Sequence, residues 1–239
     1  MYFLFSGEGA TDLGSCRDGA SQCEGNEYRH GPMAIIVARI VEQRHRYSLL
    51  DGTHYGYVSE RALEDRAATF KANGKKLRLP VAKTPRETRY FFNNARALAR
   101  IASEREHHLQ DQVVAILFRD SDGTASAGRG LWEDKRLSMI NGFAQEEFPR
   151  GVPMIPKPKS EAWLLCALKP NPYQGCNALE QRSGNDRSPN SLKAELAEGL
   201  GEPASREMLN SLLADGTIDI HRIRMPSFDA FRSDLEQAI

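Results

Sequence analysis

The chain has 239 residues, its 32 lysines and arginines are balanced by 32 aspartates and glutamates, and 40% of its residues are hydrophobic. This composition excludes a disordered or fibrous protein, and the zero net charge gives no overall attraction to nucleic acid. The longest apolar runs fall well short of the roughly 20 residues that span a bilayer, and the N-terminus lacks a basic stretch before its apolar residues. We therefore expect no signal peptide, no membrane contact and a cytoplasmic protein.

Along the chain, short apolar runs alternate with amphipathic segments. The predicted strands cover residues 2–5, 76–81, 113–118 and 152–155. The predicted helices begin at Pro32, Ser59, Thr84, Trp132, Ser160, Leu192 and Phe228. Residues 13–31 are polar and glycine-rich and predict a loop, residues 47–58 are ambiguous, and residues 169–190 predict a linker or an excursion from the fold. Strands that alternate with helices favour an α/β fold, and the unbroken apolar run 113–118 is typical of a central parallel strand.

Acidic residues follow two of the predicted strands directly. Glu8 comes after the first strand, and Asp120 and Asp122 come after the strand at 113–118. Residues just past the carboxyl ends of parallel strands line the ligand crevice of such sheets, so neighbouring strands would bring the three carboxylates together. Unneutralised, they would repel each other, and a hard divalent cation removes that conflict. The pattern predicts a site for Mg²⁺ or Mn²⁺ made of Glu8, Asp120 and Asp122.

Two competing motifs overlap this region. A calcium-binding loop beginning at Asp120 fails, because Leu131 stands where the twelfth position needs a glutamate. The glycine spacing of residues 123–128 approaches a phosphate-binding loop, but Arg129 and Gly130 replace the lysine and the Ser/Thr that such a loop requires. Ordinary turn chemistry remains the alternative for each acidic segment taken alone.

Glu8 after a first strand and Asp-x-Asp after a later central strand resemble the TOPRIM catalytic domain of topoisomerases, primases and overcoming-lysogenisation-defect nucleases. The segments that carry the resemblance are Phe5-Ser-Gly-Glu-Gly-Ala-Thr-Asp12, Gly31-Pro-Met33, Pro158-Lys-Ser-Glu-Ala-Trp-Leu-Leu165 and Pro226-Ser-Phe-Asp-Ala-Phe231. They are similar to landmarks of small bacterial TOPRIM proteins of phage-defence loci. The long glycine-rich insertion at 13–31 departs from the pattern.

The resemblance implies a Rossmann-like TOPRIM sheet, mostly parallel and flanked by helices, over residues 1–170. Residues 171–239 would form a linker and a C-terminal helical extension that packs on this catalytic domain. In the implied roles, Glu8 is the general acid and base, and Asp120 and Asp122 hold the metal. Glu161 matches an extra acid of the nuclease type.

The resulting hypothesis is a metal-dependent nuclease that cleaves phosphodiester bonds in DNA or RNA, including tRNA, as the effector of an anti-phage defence system. Lys157 or Lys159, close to Glu161, would stabilise developing negative charge. Two other functions stay open: a non-catalytic TOPRIM-like subunit that binds a partner ATPase or senses nucleic acid, and a small-molecule phosphohydrolase. A second copy of the chain is a further candidate partner.

Cationic residues are concentrated between positions 69 and 100, where nine lysines and arginines face one glutamate. This stretch could contact phosphates, and Tyr90, Phe91 and Phe92 within it could stack on bases. The alternatives are a solvated helix face and, for Phe91, a place in the core.

The four cysteines, Cys16, Cys23, Cys166 and Cys176, are too few for a disulfide scaffold, so we expect reduced thiols. Cys16, Cys23 and His30 lie seven residues apart in the glycine-rich segment and raise the question of zinc. Their spacing matches no common zinc finger.

Overall fold

The computed structural model describes residues 1–72, 86–121, 132–168 and 175–239. Its strands are β1 (Tyr2–Gly7), β2 (Gly14–Cys16), β3 (Gln22–Glu24), β4 (Tyr28–His30), β5 (Tyr55–Ser59), β6 (Val113–Phe118) and β7 (Gly151–Met154). Its helices are α1 (Pro32–His45), α2 (Glu60–Ala72), α3 (Arg86–Leu109), α4 (Trp132–Gln145), α5 (Ser160–Leu168), α6 (Cys176–Leu179), α7 (Leu192–Leu200), α8 (Arg206–Ala214) and α9 (Pro226–Ala238). The predicted strand at 76–81 and the predicted cap Thr84 lie outside the described residues.

Five strands form one sheet in the order β3-β5-β1-β6-β7, in which β3 alone runs antiparallel to its neighbour. The predicted α/β class and mostly parallel sheet flanked by helices are therefore confirmed. β1 is the central strand, and Gly7 at its end pairs with Phe118 at the end of β6. The residues that follow these two strands consequently leave the sheet side by side.

β6 presents apolar residues to both faces of the sheet, β1 does so apart from the buried Ser6, and helices cover both faces. Phe3, Phe5 and the even-numbered residues of β6 face one hydrophobic cluster, to which α1, α5 and α9 contribute. Leu4 and the odd-numbered residues of β6 face a second cluster, to which α3 and α4 contribute. Burial on both faces is why the β6 sequence is continuously apolar rather than alternating.

The C-terminal helices pack on the first cluster. Trp163 of α5 is fully buried and contacts the rings of Phe228 and Phe231 in α9, at centroid distances of 5.0 and 5.6 Å. Its indole N–H donates to Ser227 at 2.9 Å. One hydrophobic cluster therefore contains residues from both sides of position 170, while the division into two domains stays a prediction.

Two predictions about the segment 13–31 and the cysteines are wrong. This segment is not simply a loop, because β2 and β4 pair with each other and β3 extends the main sheet along β5. The thiols are not reduced: Cys16 pairs with Cys23 and Cys166 pairs with Cys176 in disulfides, across Cα–Cα distances of 5.8 and 5.4 Å. Composition could not show that the chain brings the members of each pair together.

For the segment 169–190, the described part disagrees with a linker and agrees with an excursion that packs on the core. Its first residues, 169–174, lie outside the described ranges, but Cys176 and Leu179 of α6 are buried in the core. The helix α8 lies in a region where no helix was predicted. Within the described ranges, no helix has the length and apolar character needed to cross a membrane.

Candidate active site

The carboxyl ends of the four parallel strands meet at one edge of the sheet, and polar side chains follow each of them. Glu8 follows β1, Glu60 follows β5, Arg119 and Asp120 follow β6, and Ser160 and Glu161 begin the helix after β7. In open α/β sheets this edge is where ligands bind. The described part of the chain thus places charged residues from four strand ends around one crevice.

Glu8 and Asp120 are in contact, as expected if their strands are neighbours. The backbone N–H of Asp120 donates to Glu8 Oε1 at 3.1 Å. The Glu8 side chain keeps 33% of its surface exposed, so it remains accessible from the crevice. Asp122, the third predicted acid, lies outside the described residues, and the complete three-acid arrangement stays a prediction.

A fourth acid, Asp12, lies beside Asp120 although no role was predicted for it. The fully buried Ser160 links the two carboxylates: its backbone N–H donates to Asp120 Oδ1 at 2.9 Å, and its hydroxyl donates to Asp12 Oδ1 at 2.5 Å. These bonds anchor the start of α5 to the end of β6 and to the loop after β1. The sequence feature that could have identified Asp12 is its position four residues after Glu8, in the same loop.

Glu161 is near the same group. Burial raises the pKa of its carboxyl above the usual range, while Lys159 opposes this and the charges of Asp12 and Asp186 add to it. The ammonium of Lys159 pairs with Asp186 at 2.8 Å, so this predicted catalytic lysine contacts a residue of the segment after α6. Lys157, the other predicted lysine, is partly exposed just before it.

Arg119 carries the cationic charge closest to Glu8, and sequence analysis missed it. Its guanidinium lies 3.2 Å from Glu8 Oε2, also pairs with Glu60, and stacks 4.3 Å above the ring of Tyr90. Burial lowers the pKa of Arg119, but Glu8, Glu60 and Tyr90 together outweigh burial and the net shift is upward. The group therefore stays cationic.

Lys135 of α4 is the second cation that the prediction missed. It is 2% exposed, and its ammonium donates to the carbonyl of Ser121 at 2.6 Å, one residue beyond Asp120. It also lies 5.5 Å from the ring of Phe91. A buried lysine thus supports the backbone that follows β6.

Oxygen donors dominate this edge and determine which metal would suit it. In the described ranges, no three His, Cys, Asp or Glu residues converge in an arrangement that would hold a metal ion. The nearby carboxylates of Glu8, Asp12, Asp120 and Glu161 are nevertheless hard oxygen ligands of the kind that Mg²⁺ and Mn²⁺ prefer. The donor chemistry fits the predicted ion, and Asp122 would add one more carboxylate.

The zinc question is answered negatively for the two thiols. Cys16 and Cys23 form a disulfide and offer no thiolate to a metal. The ring of His30 instead packs edge-on against Tyr28 and Tyr55, each at a centroid distance of 4.8 Å.

The basic stretch is only partly described, because residues 73–85 lie outside the described ranges. In the described part, Arg96 and Arg100 both pair with Glu146 at 2.6 Å. Phe91 is 2% exposed and belongs to the core, which agrees with the core alternative and not with stacking on bases. Phe92 is partly exposed beside Arg96, at 5.7 Å.

Comparisons of the chain with protein-family models, with curated proteins and with solved structures find no match. A functional assignment for this chain therefore depends on the chemistry of the sheet edge and on the sequence motifs.

Proposed function

We propose that this protein is a metal-dependent nuclease of the TOPRIM type, which cleaves phosphodiester bonds in DNA or RNA. The observation that carries the proposal is the contact between Glu8 and Asp120, two acids that are distant in the sequence and adjacent at the ligand-binding edge of the sheet. Structural acids at a surface have no need to gather at that edge, whereas phosphoryl transfer needs several carboxylates in one place.

The metal would be held first by Asp120 and Asp12, and Glu8, Glu161 and the predicted ligand Asp122 would have to move towards it, since no three described acids already converge. When bound, Mg²⁺ or Mn²⁺ supplies charge neutralisation at a phosphate oxygen and lowers the pKa of water. Asp12 and Asp120 would bind the ion as a pair, because the backbone N–H and the hydroxyl of Ser160 already orient their two carboxylates.

Residues around Asp12 and Asp120 would transfer the proton and stabilise the developing charge. Glu8 is partly exposed and is the proposed acceptor of the proton from the attacking water or hydroxyl. Lys159 and Lys157 would offset negative charge that develops on the phosphate, and Lys159 would have to exchange Asp186 for it. Action on nucleic acid as a defence effector would place the protein in the cytoplasm.

One observation favours the second candidate, a non-catalytic subunit that binds an ATPase or senses nucleic acid. Glu8 Oε2 already has a cationic partner in Arg119, as expected of an acid with a structural role. Metal binding separates the two functions, because a non-catalytic subunit has no need of a metal that depends on Asp120.

The test is cleavage of plasmid DNA, transfer RNA and single-stranded oligonucleotides with Mg²⁺ or Mn²⁺, by the wild type and by Glu8→Gln and Asp120→Asn. Loss of either acid should lower the cleavage rate on the order of a hundredfold or more with the circular dichroism spectrum unchanged. Asp65→Asn, which removes the same charge from an exposed position on α2, serves as the control and should cleave normally. Normal cleavage by Glu8→Gln or Asp120→Asn would refute the assignment. Calorimetric metal binding that Asp120→Asn abolishes, without cleavage of any substrate, would favour a sensor.

A further inference from the structure

Arg119 lies between two acids that come from different strand ends. Its Nη2 approaches Glu8 Oε2 at 3.2 Å, and its Nη1 pairs with Glu60 at the start of α2. The backbone of Arg119 is fixed at the end of the sheet, because its N–H donates to the carbonyl of Met154, the last residue of β7, at 3.0 Å. The guanidinium thus belongs to the crevice rather than to the surrounding surface.

Tyr90 of α3 holds the flat face of this guanidinium. The ring lies 4.3 Å below it, and the tyrosine hydroxyl donates to Glu60, the same carboxylate that Arg119 contacts. Glu60 and Tyr90 therefore form a unit around Arg119 that does not involve Glu8. If Glu8 turned to another cation, Glu60 and Tyr90 would still keep Arg119 at the edge of the sheet.

A cation that binds Glu8 must compete with Arg119 for the same carboxylate, and the guanidinium then has donors to offer elsewhere. Arginine has five N–H groups in a planar fork, which matches phosphate oxygens, and two carboxylates do not use all five. The side chain is 26% exposed, so a ligand in the crevice can reach it. A phosphodiester substrate would meet both conditions: its oxygens accept hydrogen bonds from the guanidinium, and it would bind together with the metal that displaces Arg119 from Glu8.

We infer that Arg119 is the phosphate-binding residue of this site, and that it exchanges Glu8 for a phosphate oxygen of the substrate when a metal engages Glu8. Glu60 and Tyr90 hold it in place during this exchange. The inference rests on the proposed nuclease function and assigns the substrate contact within it.

The experiment measures two bindings separately, Mn²⁺ by electron paramagnetic resonance and a fluorescein-labelled single-stranded oligonucleotide by anisotropy in Ca²⁺. DNA and RNA oligonucleotides of one sequence are both used, and a gel verifies that they stay intact. The variants are Arg119→Met and Arg119→Lys. Arg105→Met is a matched control, since Arg105 also pairs with an acid, Glu24, and lies over a tyrosine ring, but does so beside β3.

For Arg119→Met we expect Mn²⁺ to bind roughly threefold to tenfold more tightly, because Glu8 loses its competing partner. Oligonucleotide affinity should fall about tenfold, and the slope of log K against log salt should shrink by about 0.7, as for one lost contact to a single strand. Arg119→Lys should lose oligonucleotide affinity by about threefold, because it keeps the charge without the fork, and it decides the question if Arg119→Met does not fold. Arg105→Met should match the wild type in both assays.

Unchanged oligonucleotide affinity in a folded Arg119 variant, or weaker Mn²⁺ binding by Arg119→Met, overturns the inference and leaves the nuclease proposal standing. A wild type whose Mn²⁺ binding is absent or is indifferent to Asp120→Asn overturns the proposed function instead. The two failures are therefore distinct results of the same measurements.

Discussion

His30 should make the protein progressively less stable as the pH falls from neutral to acidic. The residue ends β4, and its buried Nε2 has no hydrogen-bond partner among the residues that the structure describes. Burial lowers the pKa of the imidazole from 6.5 to about 4, and the charge of Arg17 adds to this. Because the folded pKa lies below the unfolded one, the unfolded chain binds a proton between these two pH values that the folded chain does not. Stability is therefore complete above pH 6.5 and is lost as the pH falls towards 4.

The gap between a pKa of about 4 and the usual 6.5 corresponds to about 3 kcal/mol, at 1.36 kcal/mol for each pH unit. Urea unfolding followed by circular dichroism between pH 4 and pH 7 would measure it, in the wild type and in His30→Phe. The variant keeps an aromatic ring between Tyr28 and Tyr55 but cannot titrate, so its loss of stability over this range should be about 3 kcal/mol smaller.

The difference between the two proteins isolates His30, because titrating carboxylates affect both alike. His108→Phe is the matched control: this histidine is exposed near the end of α3, and its replacement should leave the pH dependence as in the wild type. Curves for the wild type and His30→Phe that run parallel from pH 7 to pH 4 would refute the argument.

Two further changes test the packing of the sheet edge and the covalent links. A methyl group added at Gly7 would lie 2.1 Å from the carbonyl oxygen of Phe118, so Gly7→Ala should cost about 3 kcal/mol in thermal or urea unfolding. Gly199→Ala meets no atom within 4 Å and should be neutral or stabilising by about 0.5 kcal/mol; equal effects of the two changes would contradict the close approach. Peptide mapping without reductant should recover Cys166 linked to Cys176, and replacing both by serine should cost about 2–3 kcal/mol, the loop-closure term for this separation. Free thiols at both positions in the native protein would contradict the pairing and would agree with the expected cytoplasmic location.

The sheet could be predicted from the sequence because its central strands carry strong local patterns. β6 is apolar on both faces and polar residues border it, so its limits follow from the sequence alone, whereas the predicted strand 2–5 stops two residues before the end of β1. The segment between β1 and α1 behaves differently. β2, β3 and β4 have three residues each and no apolar alternation, and their pairing partners determine their conformation. Composition predicted a loop there because it cannot represent such pairing.

The disulfides escaped prediction for a related reason. Cys166 lies on α5, Cys176 begins α6, and residues 169–174 between the two helices lie outside the described ranges. Ten residues can place two cysteines together or far apart, and only the packing of α6 on the core decides which. The same holds for Cys16 and Cys23, whose approach depends on β3 joining β5.

At the candidate site, the residues that could be predicted from the sequence are those that follow a strand, because the end of a strand fixes where they lie. Glu8 and Asp120 directly follow strands, so the rule for parallel sheets placed them at one edge. The roles of Asp12 and Ser160 depend instead on the hydrogen bond between them, which joins residues 148 positions apart in the sequence. Arg119 looked like an ordinary polar residue at a strand end, because nothing local indicates that Glu8, Glu60 and Tyr90 will surround it.

The ion pairs that already exist at this edge affect which carboxylates a metal ion could bind without displacing another cation. Glu8 and Glu60 already share a guanidinium, so a cation arriving there displaces an existing interaction. Asp12 and Asp120 share Ser160, a neutral donor that orients carboxylates without cancelling their charge. The pKa of Glu161 on the same side is raised mainly by burial, and Lys159 opposes this more strongly than the charge of Asp12 adds to it. Under the proposed function, a divalent ion that reaches Glu8 displaces its pair with Arg119, and the guanidinium then becomes available to the phosphate.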